Sequence, residues 1–317
     1  MARFILRRLL LSLVTLWLLA TIVFIISNVL PSDVGRTILG PFAPQESVDA
    51  VNERLGTNRP ILVRYVDSLR QIVTLDFGDS YVTQQPVMPQ LAGAIGRSAK
   101  LAGLALIITI PISIIAGLYA ARRRDRKVDR AIVLLGVTSS SIPEFVTGTI
   151  LVVVVGVALR WLPVLATPPE SADIPTTIRY LLMPAIAMAI VYFGYIARMT
   201  RSGTIEVLQS DYIRTATMKG LTTRATMLHH VLRNALVPTV AVIAVQIGYL
   251  FGGIIAVEKI FNYNGMGQTM LRAAQQKDIP MLTAGAIVIG IVYMVATFIA
   301  DMTMAWMNPR IRLDTDR

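Results

Sequence analysis

Few side chains in this sequence of 317 residues could do chemistry, and those few do not converge. Cysteine is absent, and the two histidines are the adjacent residues His229 and His230. Adjacent residues point about 100° apart on a helix, so the two rings cannot readily bind one ion. The serines Ser139–Ser141 are far from both histidines in the sequence and lack a general base. We therefore predict no metal site and no catalytic residue in this chain.

Nucleotide-binding motifs are also missing from the sequence. No G-x-x-x-x-G-K-[ST] run occurs, although this is the loop with which many ATPases hold phosphates. Gly265 and Gly267 form an isolated pair without the strand and helix of a dinucleotide site, and they predict a turn. We expect no cofactor in this chain, so any ATP-driven work belongs to another subunit.

Two acidic residues, Glu144 and Asp301, interrupt long apolar runs. An ionisable residue at membrane depth is by default a candidate for a transport pathway. Two hypotheses stay open for Glu144: a group in such a pathway, or a structural residue that hydrogen-bonds a neighbouring helix in a locally irregular span. Asp301 lies within about two helical turns of the segment Asn308–Arg310. We expect its side chain to snorkel or to pair with a cytoplasmic arginine.

The elements that must position these residues are long apolar helices. The sequence is 54% hydrophobic and 15% charged, whereas a soluble domain is about 25% charged. A membrane-spanning helix needs roughly 20 mostly apolar residues, so the sequence predicts an all-α polytopic membrane protein with six transmembrane helices. We interpret the first as a retained anchor, not a cleaved signal peptide. The six windows are 9–30, 101–121, 131–158, 180–198, 235–257 and 281–306.

The net charge of +11 is an orientation signal. Segments on the side of the N-terminus hold 18 of the 30 lysines and arginines and six of the 19 acids, and those on the other side hold 12 and 11. The positive-inside rule then makes both termini cytoplasmic. Nucleic acid is not an expected partner, because the basic run at 122–130 is a short loop without aromatic residues.

The windows divide the chain into three parts. Residues 1–30 form the N-terminal tail and first span, residues 31–100 an outer amphipathic region, and residues 101–317 the core. Within the outer region we expect helices after Pro44 and Pro60 that lie on the membrane or pack on the spans. We expect an elbow at 86–100 that leads into the second span.

The segment 198–236 is the longest cytoplasmic stretch and predicts a hairpin of two short amphipathic helices. Ile205, Leu208, Tyr212 and Ala216 form one helical stripe, and Gly220 ends it. Two interpretations stay open: a connecting hairpin against the inner leaflet, or a docking element for a cytoplasmic partner.

The fifth window carries a small residue at every fourth position, which lets another helix approach closely in a bundle core or at a subunit interface. These helix-packing residues are Ala244, Gly248, Gly252 and Ala256. Polar and aromatic side chains near this helix are candidates to line a pathway together with Glu144, and they are Gln246, Tyr249 and Asn262.

At the hairpin the sequence becomes recognisable. The stretch DYIRTATMKGLTTRATMLHHVLRNALVP at 211–238 resembles the cytoplasmic signature of binding-protein-dependent ABC importer permeases, in the version of the dipeptide, oligopeptide and nickel permeases of the "B" type. The family's E-A-A-x3-G pattern would fall on Arg214, Thr215, Ala216 and Gly220, with arginine in place of glutamate. SIPEFVTG at 141–148, FNYNGMGQ at 261–268 and NPRIR at 308–312 are also similar to the family, whose loop usually has proline where this chain has Asn264.

The resemblance implies the fold of a type I ABC importer permease in a bacterial cytoplasmic membrane. It implies import of dipeptides or oligopeptides, with nickel or another small solute as the alternative. The implied partners are a homologous second permease in a heterodimer, two cytoplasmic ATPase subunits or domains that carry ATP and magnesium, and an extracytoplasmic solute-binding protein. The hairpin would contact the ATPase through Asp211, Tyr212, Arg214, Thr215, Ala216, Lys219, Gly220 and Leu221.

A secondary transporter with Glu144 as its coupling residue is the remaining alternative. Many such transporters contain inverted repeats, and none is visible in this sequence.

Overall fold

The computed structural model describes residues 2–29, 34–56, 58–169, 171–222 and 225–308. In these ranges the chain is helical, and its β structure is limited to one isolated bridge between Asp79 and Pro86. The helices are α1 (Ala2–Val29), α2 (Val34–Leu39), α3 (Gln45–Arg54), α4 (Ile61–Thr74), α5 (Val87–Arg122), α6 (Lys127–Ser141), α7 (Glu144–Leu151), α8 (Ile174–Leu208), α9 (Asp211–Met218), α10 (Leu232–Ala235), α11 (Val237–Ile260), α12 (Met266–Gln275) and α13 (Ile279–Met307), with π-helical segments at Val152–Ala158 and Thr226–Val231.

Five stretches of the described chain are long and apolar enough to cross a membrane: Ile5–Ser27, Val87–Arg122, Ile174–Leu208, Leu232–Leu250 and Ile279–Met307. A sixth crossing exists if α6 and the helical segment 144–158 act together as one broken span. The protein is therefore an all-α polytopic membrane protein, as the sequence predicts, and helix lies in each of the six windows, with a break in the third.

The third window is a broken helix, in agreement with the local irregularity considered for the span around Glu144. The chain bends by 97° between Ser141 and Glu144. Pro143 cannot donate the backbone hydrogen bond that would continue α6, and its ring keeps the preceding residue, Ile142, extended at φ −93° and ψ 122°. The break makes Glu144 the first residue of α7.

The outer region follows the proline signals, since α3 begins after Pro44 and α4 after Pro60. The predicted elbow at 86–100 is wrong, because α5 begins at Val87 and continues for 36 residues through position 100. Leu91, Ala94 and other side chains at helical spacing are buried along one face, and this packing keeps the segment helical.

Helix α8 is the centre of the bundle. Its 35 residues correspond to a rod of roughly 50 Å, and it packs along both α5 and α6. Small residues permit the closest approaches: a Cβ on Gly194 would lie 1.9 Å from the carbonyl oxygen of Gly136, and one on Gly117 would lie 2.6 Å from that of Ala197. The bundle is therefore held by backbone-to-backbone contacts as well as by apolar side chains.

Candidate coupling hairpin and transmembrane path

The hairpin corner is a helix end of the Schellman type. Helix α9 ends at Met218, and Gly220 follows with φ +79°, in the left-handed region that glycine occupies without strain. The N–H of Leu221 donates to the carbonyl of Ala216 at 3.4 Å, and that of Gly220 donates to Thr217 at 3.0 Å. These are the two hydrogen bonds that define the motif. The predicted glycine corner is therefore present, with a specific backbone requirement.

The inner face of the hairpin has its own small core. Ile213, Val231 and Ala235 are buried together, with Leu208 and two other apolar residues packed against them. The predicted stripe from Ile205 to Ala216 is wrong beyond Leu208, because the chain turns at residues 209–210 before α9 begins. Ile213 consequently takes the inner position and Tyr212 is exposed, with its hydroxyl accepting a hydrogen bond from Asn234 Nδ2 at 3.0 Å.

Seven of the eight predicted ATPase-contact residues are exposed on the outer face of this hairpin. Ala216 is the exception, because its side chain is buried. The exposed face combines charged groups with the apolar side chains of Met218 and Leu221. A mixed surface of this kind on a well-packed corner is suited to docking a protein partner. The exposed residues are Asp211, Tyr212, Arg214, Thr215, Lys219, Gly220 and Leu221.

Hydrogen bonds connect the hairpin to the last helix of the bundle. Arg233 donates from Nε to the carbonyl of Met307 at 3.0 Å and from a terminal nitrogen to that of Trp306 at 2.8 Å. The guanidinium also lies 5.4 Å from the centre of the Trp306 ring. A cation that bonds the free carbonyls at a helix C-terminus stabilises that end. Arg233 therefore ties the hairpin to α13.

Two more contacts connect the hairpin region to the bundle. A Cβ on Gly203 of α8 would lie 2.6 Å from the carbonyl oxygen of Ala235, so α8 and α10 cross in direct contact. Arg201 of α8 forms a bidentate ion pair with the buried carboxylate of Asp129, at 2.5 and 2.7 Å. Movement of the hairpin would thus be transmitted to α8, to α13 and to the start of α6.

The opposite end of the bundle is joined by a buried carboxylate that the sequence did not single out. Glu258, at the end of α11, is fully buried. Its Oε1 accepts from Ser98 of α5 at 2.5 Å, and its Oε2 accepts from the N–H of Gln268 at 2.8 Å in the first turn of α12. The Ser98 hydroxyl oxygen in turn accepts from the N–H of Met266 at 2.7 Å. The sequence offers only a weak indication of this site: Glu258 follows the fifth apolar window, and glycines occur at the start of the next helix.

The loop at 261–265 is closed by the same group of contacts. The Tyr263 hydroxyl donates to the carbonyl of Arg97 at 2.8 Å. Burial, and next the negative charge of Glu258, raise the pKa of the Tyr263 phenol to about 12, so it remains a proton donor at neutral pH. Asn264, where the family usually has proline, accepts from Arg272 at 2.6 Å through its side chain, a bond that proline could not make.

The four candidate pathway residues do not share one site. Glu144 is half-buried at the break of the third span. Gln246 is buried in α11, whereas Asn262 lies in the loop beyond it. Tyr249 is exposed in a groove of about 710 Å³ between α1, α11 and α13.

Asp301 forms the expected pair with an arginine, which is Arg8 at the start of α1. The ladder of small residues on α11 is used in part within the bundle. A Cβ on Gly248 would lie 2.4 Å from the ring of Tyr293, so α13 approaches α11 closely there. Ala244 is buried and Ala256 is half-buried, while the surroundings of Gly252 lie outside the described residues.

The helical bundle, the broken span and the exposed hairpin are features of a membrane translocation subunit. Residues 113–313 match the family described as the binding-protein-dependent transport system inner membrane component, and residues 1–102 match its N-terminal family. The chain belongs to this family of ABC importer permeases and is an inner-membrane protein.

Named relatives cover the whole chain. It is 31% identical to the probable peptide ABC transporter permease protein y4tP of Sinorhizobium fredii, over 98% of this chain and 100% of that protein. It is 32% identical to the glutathione transport system permease protein GsiC of Salmonella choleraesuis and 31% identical to that of Escherichia coli, over 98% of this chain and 99% of each relative. Because the chain belongs to a family of ABC importer permeases, the alternative of a secondary transporter coupled through Glu144 is wrong.

Proposed function

We propose that this chain is one permease subunit of an ATP-driven importer of dipeptides or oligopeptides. A homologous second permease completes the pathway, and two cytoplasmic ATPase subunits or domains bind ATP and magnesium. An extracytoplasmic binding protein delivers the solute. Both termini and the hairpin at 198–236 lie in the cytoplasm, as the distribution of lysine and arginine favours.

One observation carries the proposal: the helices of the exposed hairpin contact the ends of several spans. Arg214 and Lys219 are exposed at the Schellman corner. Arg233 donates hydrogen bonds to the carbonyls at the end of α13, and Gly203 of α8 contacts α10 at Ala235. A force applied by ATPase closure at the corner would reach α8, α11 and α13 together. Such a connection converts a cytoplasmic movement into a change of span packing.

The peptide class is supported by the relatives, whose names specify a peptide and glutathione, itself a tripeptide. Nickel and other small solutes remain the alternative within the same machinery. Competition during uptake of a labelled dipeptide distinguishes the two cases. If the substrate is a peptide, an excess of unlabelled dipeptide or tripeptide reduces the uptake of the label, and an excess of nickel does not.

The docking role is tested at Gly220. Valine is β-branched and is strained in the left-handed conformation, whereas asparagine tolerates it. A Cβ at this position meets no atom within 4 Å, so both substitutions fit sterically within the chain. We expect Gly220→Val to lose the ATPase during affinity purification while the second permease is still recovered, and Gly220→Asn to retain both.

Two results would contradict the docking role of Gly220. Full recovery of the ATPase with Gly220→Val would show that the corner does not govern docking. Failure of Gly220→Val to accumulate in the membrane would assign the glycine a folding role instead.

A further inference from the structure

Helix α4 (Ile61–Thr74) leaves a stripe of large apolar side chains uncovered. Leu62 is 75% exposed, Val66 63% and Val73 84%. With 100° per residue these three positions fall within about 40° of one another on the helix surface. They form a continuous stripe that water would not solvate favourably.

The neighbouring face of α4 is already packed on the bundle. Tyr65 donates to or accepts from the hydroxyl of Thr21 at 2.7 Å, and its ring meets that of Phe24 edge-on at 5.2 Å. Leu69 and Ile72 pack against an apolar cluster that includes residues of α1 and α13. The polar residues, including Arg70 and Thr74, occupy the remaining side of the helix.

The contact with α1 fixes the depth of α4. Thr21 lies six to nine residues before the outer end of the apolar window of α1, at residues 27–30, and this separation corresponds to about 9–14 Å along a helix. A helix that reaches this level lies at the boundary between head groups and acyl chains, where amphipathic interfacial helices are found.

The environment of α1 points to lipid at the same place. Only 6% of its apolar window is buried inside the protein, so α1 lies at the edge of the bundle. Ile22 and Ile25, at the level of the α4 contact, are both more than half exposed. Both α1 and α4 therefore expose apolar side chains close to their contact.

We propose that α4 is an interfacial membrane helix whose Leu62, Val66 and Val73 side chains contact lipid acyl chains. Its polar side faces the aqueous phase. The lipid surface would then bind the outer region in addition to its contacts with α1 and α13, so the region would not be fully surrounded by water.

This chain has no native cysteine, so each variant carries one labelling site in it, and the unsubstituted assembly measures any labelling of the other subunits. Val73→Cys and Thr74→Cys form a matched pair, because both positions are exposed and adjacent but point about 100° apart. Val66→Cys adds a second position on the stripe. Each is spin-labelled in the assembly purified with its co-purifying subunits and reconstituted in phosphatidylcholine vesicles.

Collisions of the label with oxygen and with a water-soluble nickel chelate report its surroundings. We expect the oxygen-to-nickel collision ratio to exceed one at positions 66 and 73 and to fall below one at position 74. Ratios below one at all three positions would place the stripe in water and overturn the proposal. Exclusion of both reagents at 66 and 73 would mean that a protein subunit covers the stripe, which would also overturn it.

Discussion

The crossing of α6 and α8 provides the sharpest test of the packing. Replacing Gly194 by alanine would place a methyl carbon 1.9 Å from the carbonyl oxygen of Gly136 and 2.9 Å from Ser140 Oγ. Real Cβ atoms essentially never approach closer than 3.0 Å, so the two backbones would have to separate by about 1 Å. The obstacle is the backbone carbonyl of Gly136, which cannot rotate away as a flexible side chain could.

The magnitude follows from two opposing effects. Overpacking costs about 1–3 kcal/mol, and a rigid backbone obstacle places this case near the upper limit. Alanine recovers about 1 kcal/mol of helix propensity relative to glycine. We therefore expect Gly194→Ala to lower the free energy of unfolding by about 2 kcal/mol.

The matched control is Gly103→Ala in α5, where a Cβ meets no atom within 4 Å. This variant keeps the propensity gain without the clash, so it should be neutral or stabilised by up to about 1 kcal/mol. Thermal unfolding of the purified assemblies in detergent, followed by circular dichroism, compares them. Equal stability of the two variants would refute the close crossing of α6 and α8.

Three further substitutions test other contacts. Arg233→Ala should lower stability by about 1–3 kcal/mol, since charged hydrogen bonds are lost, and should raise the ATP hydrolysed per solute imported; Arg233→Lys, which keeps the charge, should do less. Glu258→Gln should cost about 1–3 kcal/mol, because an amide that keeps its oxygen on the N–H of Gln268 turns its NH2 toward Ser98 and the Ser98 hydroxyl loses its acceptor; faster proteolysis of the 261–265 loop would report it. Gly248→Ala should cost about 1–3 kcal/mol through contact with the ring of Tyr293, and melting of the double variant Gly248→Ala/Tyr293→Ala should recover much of the loss.

The sequence predicts the elements that depend on local composition. Apolar length locates the spans, and Pro44 and Pro60 locate the starts of α3 and α4. Gly220 marks the hairpin corner, because the left-handed position at a helix end of this type favours glycine. These features need no knowledge of distant neighbours, so periodicity and turn chemistry suffice.

Features that depend on tertiary partners were not predictable. Glu258 is buried because Ser98 and the first turn of α12 supply its hydrogen bonds, and these groups are distant in sequence. The interruption of the third span at Glu144 is visible in the sequence, but its 97° bend is not, because α7 packs on α8 and α11, which are distant in sequence. The pathway residues could not be fixed because a single sequence does not determine the rotation of a helix in lipid.

The most direct test of the proposed import mechanism is peptide uptake by proteoliposomes that contain this chain, its second permease, the ATPases and the binding protein. We predict that a labelled dipeptide accumulates when ATP and magnesium are available to the ATPases, and that Gly220→Val abolishes accumulation whereas Gly220→Asn preserves it. Uptake that proceeds without ATP, driven by an ion gradient and unaffected by Gly220→Val, would contradict the account.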